Sequence, residues 1–347
     1  LTFVGPETAL MNGVVDAFIK AELPIFGPNK MAAELEGSKD FAKSMMKKYG
    51  VPTADYATFD SLEPALAYLD EKGVPLVIKA DGLAAGKGVT VAFDIETAKS
   101  ALADIFSGSQ GKVVIEEFLD GEEFSLFSFV HDGKIYPMPI AQDHKRAFDG
   151  DKGPNTGGMG AYSPVLHISK EVVNEAFEKV VKPTVAGMIE EGKSFTGILY
   201  AGLILTEDGV KTIEFNARFG DPETQVVLPR LKSDLAQAII DILAGNEPTL
   251  EWLESSVTLG VVVAAEGYPS QAKLGLILPE IPEGLSVYYA GVSKNENNQL
   301  ISSGGRVYLV SETGEDVKST QKLLYEKLDK LENDGFFYRH DIGSRAI

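Results

Sequence analysis

The chain has 347 residues, and its 32 lysines and arginines against 51 aspartates and glutamates give a net charge of −19. An acidic balance of this size argues against a nucleic-acid or anionic-membrane binder, because no extended basic surface is available to attract phosphates. Cysteine is absent, which excludes disulfides, thiolate zinc sites and cysteine nucleophiles and fits a reducing compartment such as the cytoplasm. No segment approaches the roughly 20 apolar residues of a membrane-spanning helix.

The N-terminal residues predict the end of an α/β unit. Leu1–Val4 has the pattern of a strand already under way, and the chain lacks an initiator methionine, so we expect an N-terminal part of this unit to precede it. A helix is predicted from Thr8, a helix-capping residue type, to about Leu23. A short strand at 24–26 and a further helix start at Asn29 follow.

Residues 38–118 alternate strand and helix patterns, and they predict a small α+β lobe at about 51–118. A helix capped by Ser38 runs to Tyr49, where a glycine and a proline stop it. The next elements are predicted in this order: strand 56–59, helix 62–72, strand 75–80, a glycine-rich loop at 81–88, strand 89–93, helix 95–106 and strand 113–118.

From residue 122 onward, hairpin patterns dominate. Two hairpins with Asp-Gly turns are predicted, and a helix that ends near Glu191 lies between them. Residues 143–164 are expected to form a long loop without regular structure, and such loops are usually functional. The remaining elements are strands 124–130, 134–140, 197–205 and 210–216, a helix capped by Ser233 and running to 243, strands 257–266, 285–290 and 306–310, and a helix at 316–332.

The glycine-rich loop is the first segment that indicates chemistry. Lys79 ends a strand just before the loop, and three glycines with Lys87 allow the backbone and a cation to approach a polyphosphate. The loop is not a Walker A motif, because Gly88 replaces the magnesium-binding Ser/Thr and a strand rather than a helix follows. A hairpin loop that needs glycine only for its turns is the alternative interpretation.

Two strand ends carry polar side chains. The strand at 113–118 ends in Glu116 and Glu117, and acids that simply face water remain the alternative there. Glu214 and Asn216 are two residues apart on a strand, so they share one face and offer the oxygen ligands that Mg²⁺ prefers. Arg218 follows with the fork geometry that binds carboxylates and phosphates. A solvated polar strand face is the alternative for that segment.

The long loop concentrates basic charge in an otherwise acidic protein. Its segment Asp143-His-Lys-Arg146 could hold an anionic substrate through Lys145 and Arg146, and the glycines of residues 153–160 let the backbone approach it. His144 is interpreted as a hydrogen-bonding loop residue rather than a catalyst or a metal ligand.

Together these segments resemble the ATP-grasp superfamily, and closely its phosphoribosylamine–glycine ligase branch. The resemblance covers essentially the whole chain and rests on Ile78–Gly88, Asp143–Arg146, Gly153–Pro164 and Glu214–Thr224. It implies an α/β and α+β multidomain ATP-grasp fold with a truncated N-terminal α/β domain and a β-rich C-terminal domain. The implied domains are 1–36, an ATP-grasp domain at 37–255, and 256–347.

The resemblance also implies roles for individual residues. ATP and its phosphates would contact Lys79, Gly82, Gly86, Lys87 and Gly88, the adenine hinge would be Glu116, Glu117, Phe118 and Leu119, and Glu123 would bind the ribose. Mg²⁺ or Mn²⁺ would be held by Glu214 and Asn216. Arg218, Lys145 and Asp221 would be catalytic, and Gly5, Pro6, Glu7, Asp143, Asn155, Thr156, Gly157 and Met159 would bind the substrates.

The activity implied by the resemblance is ATP-dependent ligation of glycine to 5-phosphoribosylamine in purine biosynthesis. The enzyme is expected to be a cytoplasmic monomer that acts on small molecules and carries no second fused activity. Two alternatives remain: another ATP-grasp carboxylate–amine ligase and, because the chain begins inside a strand, a nucleotide-binding fragment without catalysis.

Overall fold

The computed structural model describes residues 1–82, 88–108, 111–281, 284–331 and 334–347. The chain divides into two compact units, which we call the first and the second unit. The first unit contains Leu1–Met138, Ile168–Phe219 and Ile239–Pro248, and the second contains Pro139–His167, Gly220–Ala238 and Thr249–Ile347. Among the described residues, none of the helices has the length and apolar character needed to span a lipid bilayer.

The secondary structure is numbered here in chain order. The helices are α1 (Glu7–Met11), α2 (Val14–Lys20), α3 (Lys30–Gly37), α4 (Lys39–Lys48), α5 (Leu62–Lys72), α6 (Ile95–Ser107), α7 (Lys170–Ala176), α8 (Lys182–Glu190), α9 (Thr224–Val227), α10 (Leu235–Leu243) and α11 (Val317–Leu328). The strands are β1 (Thr2–Phe3), β2 (Ile25–Phe26), β3 (Tyr56–Phe59), β4 (Leu76–Ala80), β5 (Val89–Ala92), β6 (Val113–Glu117), β7 (Glu122–His131), β8 (Lys134–Pro137), β9 (Gln142–Asp143), β10 (Arg146–Phe148), β11 (Lys152–Asn155), β12 (Gly160–Ser163), β13 (Gly197–Thr206), β14 (Gly209–Asn216), β15 (Val257–Ala265), β16 (Ser286–Tyr289), β17 (Val292–Lys294), β18 (Leu300–Ser302), β19 (Arg306–Gly314) and β20 (Phe336–Phe337).

The N-terminal segment differs from its prediction in one respect. The single helix expected from Thr8 to Leu23 is two short helices, α1 and α2, because Gly13 takes a left-handed conformation with φ +81° that interrupts the helix. The predicted strand at 24–26 is confirmed as β2, which pairs in parallel with β1. The predicted start at Asn29 is also confirmed, since its side chain accepts a hydrogen bond from Ala32 N–H at 2.8 Å.

The lobe that follows contains a four-stranded antiparallel sheet in the order β3-β6-β4-β5. Each predicted strand and helix between residues 56 and 117 is present, with end points that differ by at most one residue. Leu69 and Leu102 on the two helices pack with Ile78 and Ile115 on the central strands, and all four are fully buried. Apolar side chains at these periodic positions therefore place both helices on the sheet.

A second four-stranded antiparallel sheet in the first unit has the order β14-β13-β7-β8 and contains both predicted hairpins. The predicted long helix is confirmed as a continuous helical segment in which a π turn, Phe177–Val181, joins α7 to α8. Gly187 on α8 approaches the ring of Tyr49 so closely that a Cβ there would lie 2.5 Å from it. Glycine is therefore required where α8 packs.

The core of the second unit is a sheet in the order β16-β19-β15-β12-β9, with β20 also paired to β15. All nine residues of β15 are buried, as expected for a central strand covered on both faces. The predicted strands at 257–266, 285–290 and 306–310 correspond to β15, β16 and β19.

Two predictions for this part of the chain were wrong. Residues 143–164 are not without regular structure, because they contain the hairpin β10–β11 and strand β12, whose short lengths leave little periodic signal. Asp234 rather than Ser233 caps α10: its carboxylate accepts from Gln237 N–H at 3.0 Å, while Ser233 Oγ accepts from Glu251 N–H.

Candidate active site

Lys79 lies at the end of β4 and is almost completely buried. Its ammonium is 2.9 Å from Glu116 Oε1 and donates to the carbonyl of Ile213 on β14 at 3.1 Å. Glu214 is the next residue on that strand. The structure thus brings the lysine before the glycine-rich loop to the strand that carries the predicted metal ligands.

Glu116 is shared by two lysines, and we call Lys43, Glu116 and Lys79 the Glu116 triad. Lys43 Nζ lies 2.8 Å from Glu116 Oε2, and the three side chains are only 2–4% exposed. Burial lowers the pKa of the Lys43 ammonium to about 8, although the carboxylate of Glu116 opposes this shift. One carboxylate between two ammoniums leaves a net positive charge at this point.

A hydroxyl connects the triad to β14 a second time. Lys43 Nζ donates to Thr53 Oγ1 at 2.7 Å, and that hydroxyl donates to the carbonyl of Thr212, also at 2.7 Å. Thr53 and Thr212 additionally form a parallel β-bridge. The lysines of the triad are therefore held in fixed positions relative to β14.

Lys39 and Asp81 belong to the same cluster, and sequence reasoning missed both. The Asp81 carboxylate accepts from Lys39 N–H at 2.7 Å at the start of α4, and Lys39 Nζ donates to the Gly82 carbonyl at 2.8 Å. Burial lowers the pKa of the Lys39 ammonium, and Lys79 adds to this, whereas Glu214 opposes it. The signal that could have found Lys39 is a lysine in the first helical turn, where the helix dipole disfavours a cation.

The residues predicted to bind the nucleotide lie on strands β6 and β7 and between them. Glu116 and Glu117 end β6, Phe118 and Leu119 follow it, and Glu123 lies near the start of β7. Between them, Gly121 passes so close to β13 that a Cβ would lie 2.2 Å from the Leu205 carbonyl oxygen, so glycine is required where this segment crosses β13. Gly82 and Gly88 flank the glycine-rich loop, while the predictions for Gly86 and Lys87 lie outside the described residues.

Glu214 and Asn216 lie on one face of β14, and both side chains are partly exposed. Phe215 between them is 3% exposed, as alternation on a strand requires. The described residues contain no group of three or more His, Cys, Asp or Glu side chains arranged to hold a metal. A carboxylate and an amide oxygen side by side nevertheless fit Mg²⁺ or Mn²⁺ bound partly by phosphates and water.

Arg218 lies between two carboxylates. Glu7 is among the predicted substrate-binding residues, whereas Glu36 could not be predicted from the sequence. Arg218 Nη2 is 2.9 Å from Glu36 Oε1, and its Nε is 3.5 Å from Glu7 Oε2. Glu36 also accepts from Ala217 N–H at 2.8 Å. Burial raises the pKa of the Glu36 carboxyl, although the guanidinium of Arg218 opposes the rise. Arg218 and Glu7 are therefore neighbours, and the exposed residues Gly5 and Pro6 directly precede Glu7 in the sequence.

Among the predicted residues of the second unit, Thr156 contacts the carbonyl of Lys145. Thr156 donates to it twice, from its N–H at 2.7 Å and from Oγ1 at 2.8 Å. Asn155 pairs across the hairpin with Arg146. Asp143 is buried on β9, and Met159 is fully buried, so the Met159 side chain packs in the core of this unit.

Arg306, at the start of β19, is another residue that could not be predicted from the sequence. Its Nη1 donates to the carbonyls of Gly157 at 2.8 Å and Asp221 at 2.9 Å, and it is 3.0 Å from Asp221 Oδ1. A Cβ on Gly158 would lie 2.4 Å from Cδ of Pro222. One guanidinium thus joins two predicted substrate segments, and the Gly-Gly-Arg sequence at a strand start was its only signal.

His144 is fully buried, and its interpretation as a hydrogen-bonding residue is supported by contacts. Nε2 accepts from Gly343 N–H at 3.3 Å, and the main chain bonds to Met159 and Gly160. Burial, together with the guanidiniums of Arg345 and Arg339, lowers the pKa of the imidazole to about 3. His144 is therefore neutral at physiological pH and does not act as an acid or a base near pH 7.

This burial predicts a pH dependence of stability. The unfolded chain takes up a proton at His144 below about pH 6.5, whereas the folded chain does so only near the lowered pKa, so stability falls as the pH is reduced through this window. The contribution reaches at most about 1.4 kcal/mol per pH unit. We expect His144→Gln to reduce the slope of the free energy of unfolding between pH 6.5 and 4.5.

Urea unfolding of both proteins at several pH values measures the two slopes, and a series above pH 7.5 is the internal control, because the imidazole is neutral in both states there. Equal slopes below pH 6.5 would contradict the buried neutral imidazole.

Comparisons with known proteins identify the family of this chain. Models of the phosphoribosylglycinamide synthetase family match the chain in three parts: the N domain at residues 1–36, the ATP-grasp (A) domain at 37–224 and the C domain at 258–345. The phosphoribosylamine–glycine ligase of Lactococcus lactis is 98% identical over 347 residues, which are 100% of this chain and 84% of the relative. The ligase of Streptococcus pyogenes serotype M1 is 57% identical over 99% of this chain and 84% of that protein.

Solved structures give the same result. The crystal structure of phosphoribosylamine–glycine ligase from Thermotoga maritima matches with a TM-score of 0.84 and 36% identity, covering 92% of this chain and 82% of that one. A biotin carboxylase domain from Hydrogenobacter thermophilus, at 17% identity, shares the fold with a TM-score of 0.72, covering 95% of this chain and 74% of that one. The predicted ATP-grasp fold is thereby confirmed, and the chain belongs to the phosphoribosylglycinamide synthetase family.

Proposed function

We propose that this chain is a phosphoribosylamine–glycine ligase, which joins glycine to 5-phosphoribosylamine at the expense of ATP and so forms glycinamide ribonucleotide for purine biosynthesis. The single observation that carries the proposal is the 98% identity, over all 347 residues, with the Lactococcus lactis ligase. The proposal includes a monomeric enzyme in the cytoplasm that acts on small molecules only.

The chemistry has two steps. The glycine carboxylate attacks the γ-phosphorus of ATP, the bond to the bridging oxygen breaks, and ADP and glycyl phosphate result. The amine of phosphoribosylamine then attacks the carbonyl carbon, the bond to the phosphate oxygen breaks, and the nitrogen loses a proton as the amide and inorganic phosphate form. Such steps need positioning and neutralisation of charge more than a nucleophilic side chain.

The triphosphate would bind at the Glu116 triad. Lys79 and Lys43 share one carboxylate, so they retain positive charge for the phosphates, and Lys39 adds a third ammonium beside Gly82. Lys87, Gly86 and Gly88 of the glycine-rich loop would complete the contacts. Because Glu116 fixes both triad lysines, little rearrangement is needed when the nucleotide binds.

The divalent ion, Mg²⁺ or Mn²⁺, would be held by Glu214 and Asn216, with phosphate oxygens and water as its other ligands. When bound, it would neutralise charge on the β- and γ-phosphates during transfer. The hydrogen bond from Lys79 to the carbonyl of Ile213 supports this assignment, because the ammonium that we propose for phosphate binding contacts the residue before Glu214 on β14.

The other substrates would bind at the remaining clusters. Arg218 makes a 2.9 Å contact with Glu36 and a longer one with Glu7, so we propose that a substrate carboxylate or acyl phosphate replaces the longer one. In the second unit, we propose that substrates bind at Lys145, Asp221, Asp143, Asn155, Thr156, Gly157 and Met159. Phosphoribosylamine would bind at Gly5, Pro6 and Glu7. The nucleoside part of ATP would bind at Glu117, Phe118, Leu119 and Glu123.

The test is ADP release with glycine and phosphoribosylamine, and with each omitted in turn. Glycine labelled with ¹⁸O in its carboxylate should transfer one label to inorganic phosphate, because one carboxylate oxygen leaves with the phosphoryl group. Turnover only with a different acid–amine pair would indicate another ATP-grasp ligase. ATP binding without turnover would indicate a nucleotide-binding protein, and either result overturns the proposal.

Glu214→Gln is expected to lower kcat by about 10²–10³-fold, since it removes charge that holds the divalent ion at the transferring phosphate. Raising the Mg²⁺ concentration should recover part of the loss. The matched control is Glu207→Gln, an exposed acid in the turn of the same hairpin, which should retain full activity. Near-normal kcat in Glu214→Gln would remove the assigned role.

Arg306→Lys is expected to raise the KM for glycine or phosphoribosylamine by about tenfold or more, because one ammonium cannot reproduce the contacts that join Gly157 to Asp221. The KM for ATP should stay within twofold. Arg230→Lys is the matched control, since Arg230 is buried in the same unit and bonds to Ser163 and Leu253 instead. A KM change of equal size in the control would point to general loosening of the unit.

A further inference from the structure

The C-terminal segment Arg339–Arg345 lies along the turn of the β10–β11 hairpin in the second unit, and we call it the C-terminal clamp. Its contacts are charged and numerous, and they converge on residues 149–151.

Arg339 is the centre of the clamp and is 1% exposed. Its Nε and Nη2 each lie 2.7 Å from one carboxylate oxygen of Asp341, which is a bidentate pair within the clamp. Its Nη1 donates to Asp151 Oδ1 at 2.9 Å and to the Arg146 carbonyl at 3.1 Å, both on the hairpin. One buried guanidinium therefore bonds the clamp both to the start of β10, at Arg146, and to the turn of the hairpin, at Asp151.

Further bonds run in both directions between the clamp and the hairpin turn. Gly150 N–H donates to Asp341 Oδ2 at 2.8 Å, and His340 N–H donates to Asp149 Oδ1 at 2.8 Å. Arg345 Nη2 is 2.6 Å from Asp151 Oδ2. The three turn residues are thus each bonded to the clamp.

The hairpin depends on such support. Within the described residues, β10 and β11 form a two-stranded sheet of their own, and an isolated pair of strands is marginally stable in water. At its open end the hairpin continues into Lys145 and Thr156, which bond to each other. The clamp fixes the turn of the hairpin at residues 149–151, and this also restricts the position of Lys145 and Thr156 at the open end.

The network is ionised at neutral pH. Burial raises the pKa of the Asp341 carboxyl, but hydrogen bonds from Arg339 and Gly150 outweigh it and lower the pKa to about 2. The pKa of Asp151 is lowered in the same way by Arg345 and Arg339 against the effect of burial. Replacing Arg339 would leave two carboxylates close together without their shared cation.

We propose that Arg339 is a positioning residue for substrate binding, which fixes the β10–β11 hairpin so that Lys145, Asn155 and Thr156 meet the substrates in one arrangement. This rests on the proposed function of those three residues. The residue touches no substrate itself. It acts through the hairpin, so its effect belongs to substrate affinity and orientation rather than to ATP binding, which we assign to the first unit.

Arg339→Met should raise the KM for glycine or phosphoribosylamine and lower kcat, together by about 10²-fold in kcat/KM, because misplacement by about 1 Å has effects of this size. The Kd for ATP should stay within twofold. Arg339→Lys keeps the charge and should recover part of the loss. Lys327→Met is the matched control, since Lys327 bonds to Glu312 and Gly284 in the same unit, and it should keep the wild-type KM values.

Hydrogen–deuterium exchange of residues 146–156 supplies a readout that does not depend on turnover, and faster exchange is expected in Arg339→Met than in Lys327→Met. Equal exchange, or KM values equal to those of the control, would overturn the positioning role. A parallel loss of ATP affinity would also overturn it, because it would indicate general unfolding. If the wild-type protein fails to ligate glycine, the proposed function fails, and exchange alone then decides whether the clamp fixes the hairpin.

Discussion

The carboxylate of Glu116 is the interaction on which the candidate site depends. Burying an ion costs several kcal/mol unless partners compensate it, and here Lys43 and Lys79 do so from two different elements. Through Lys79 and Thr53 the same group is bonded to β14, which carries Glu214. Loss of the carboxylate would leave two buried ammoniums facing each other, so packing of the lobe and charge at the site are set by one residue.

Lysines and arginines have separate tasks in this protein. The lysines near Glu116 are point charges, suited to phosphates whose position changes during transfer, and burial lowers the pKa of Lys39 and Lys43. The arginines are held by several contacts to each guanidinium. Arg218 lies between two glutamates, and Arg306 contacts two carbonyls and a carboxylate. The net charge of −19 would repel negatively charged substrates. The lysines and arginines of the candidate site supply local positive charge that opposes this repulsion.

Most elements could be predicted because their signals are local. The lobe from β3 to β6 alternates apolar stretches with capping and turn residues, and its boundaries followed from them. The contacts of the site could not be predicted in the same way. Lys43 and Glu116, or Arg306 and Asp221, are far apart in sequence, and no local pattern says that they meet. The break at Gly13 and the hairpin within 143–164 were missed because a flexible glycine and very short strands carry almost no periodicity.

The π turn at Phe177–Val181 adds a residue to an otherwise regular helix. In an α-helix one residue corresponds to a rotation of about 100° about the axis. Removing it would therefore turn α8 so that a bulky side chain, rather than Gly187, faces the ring of Tyr49. The extra residue changes which face of the helix is turned towards its neighbours. As a result, α7 and α8 can each pack with the appropriate face, although the backbone between them is not interrupted.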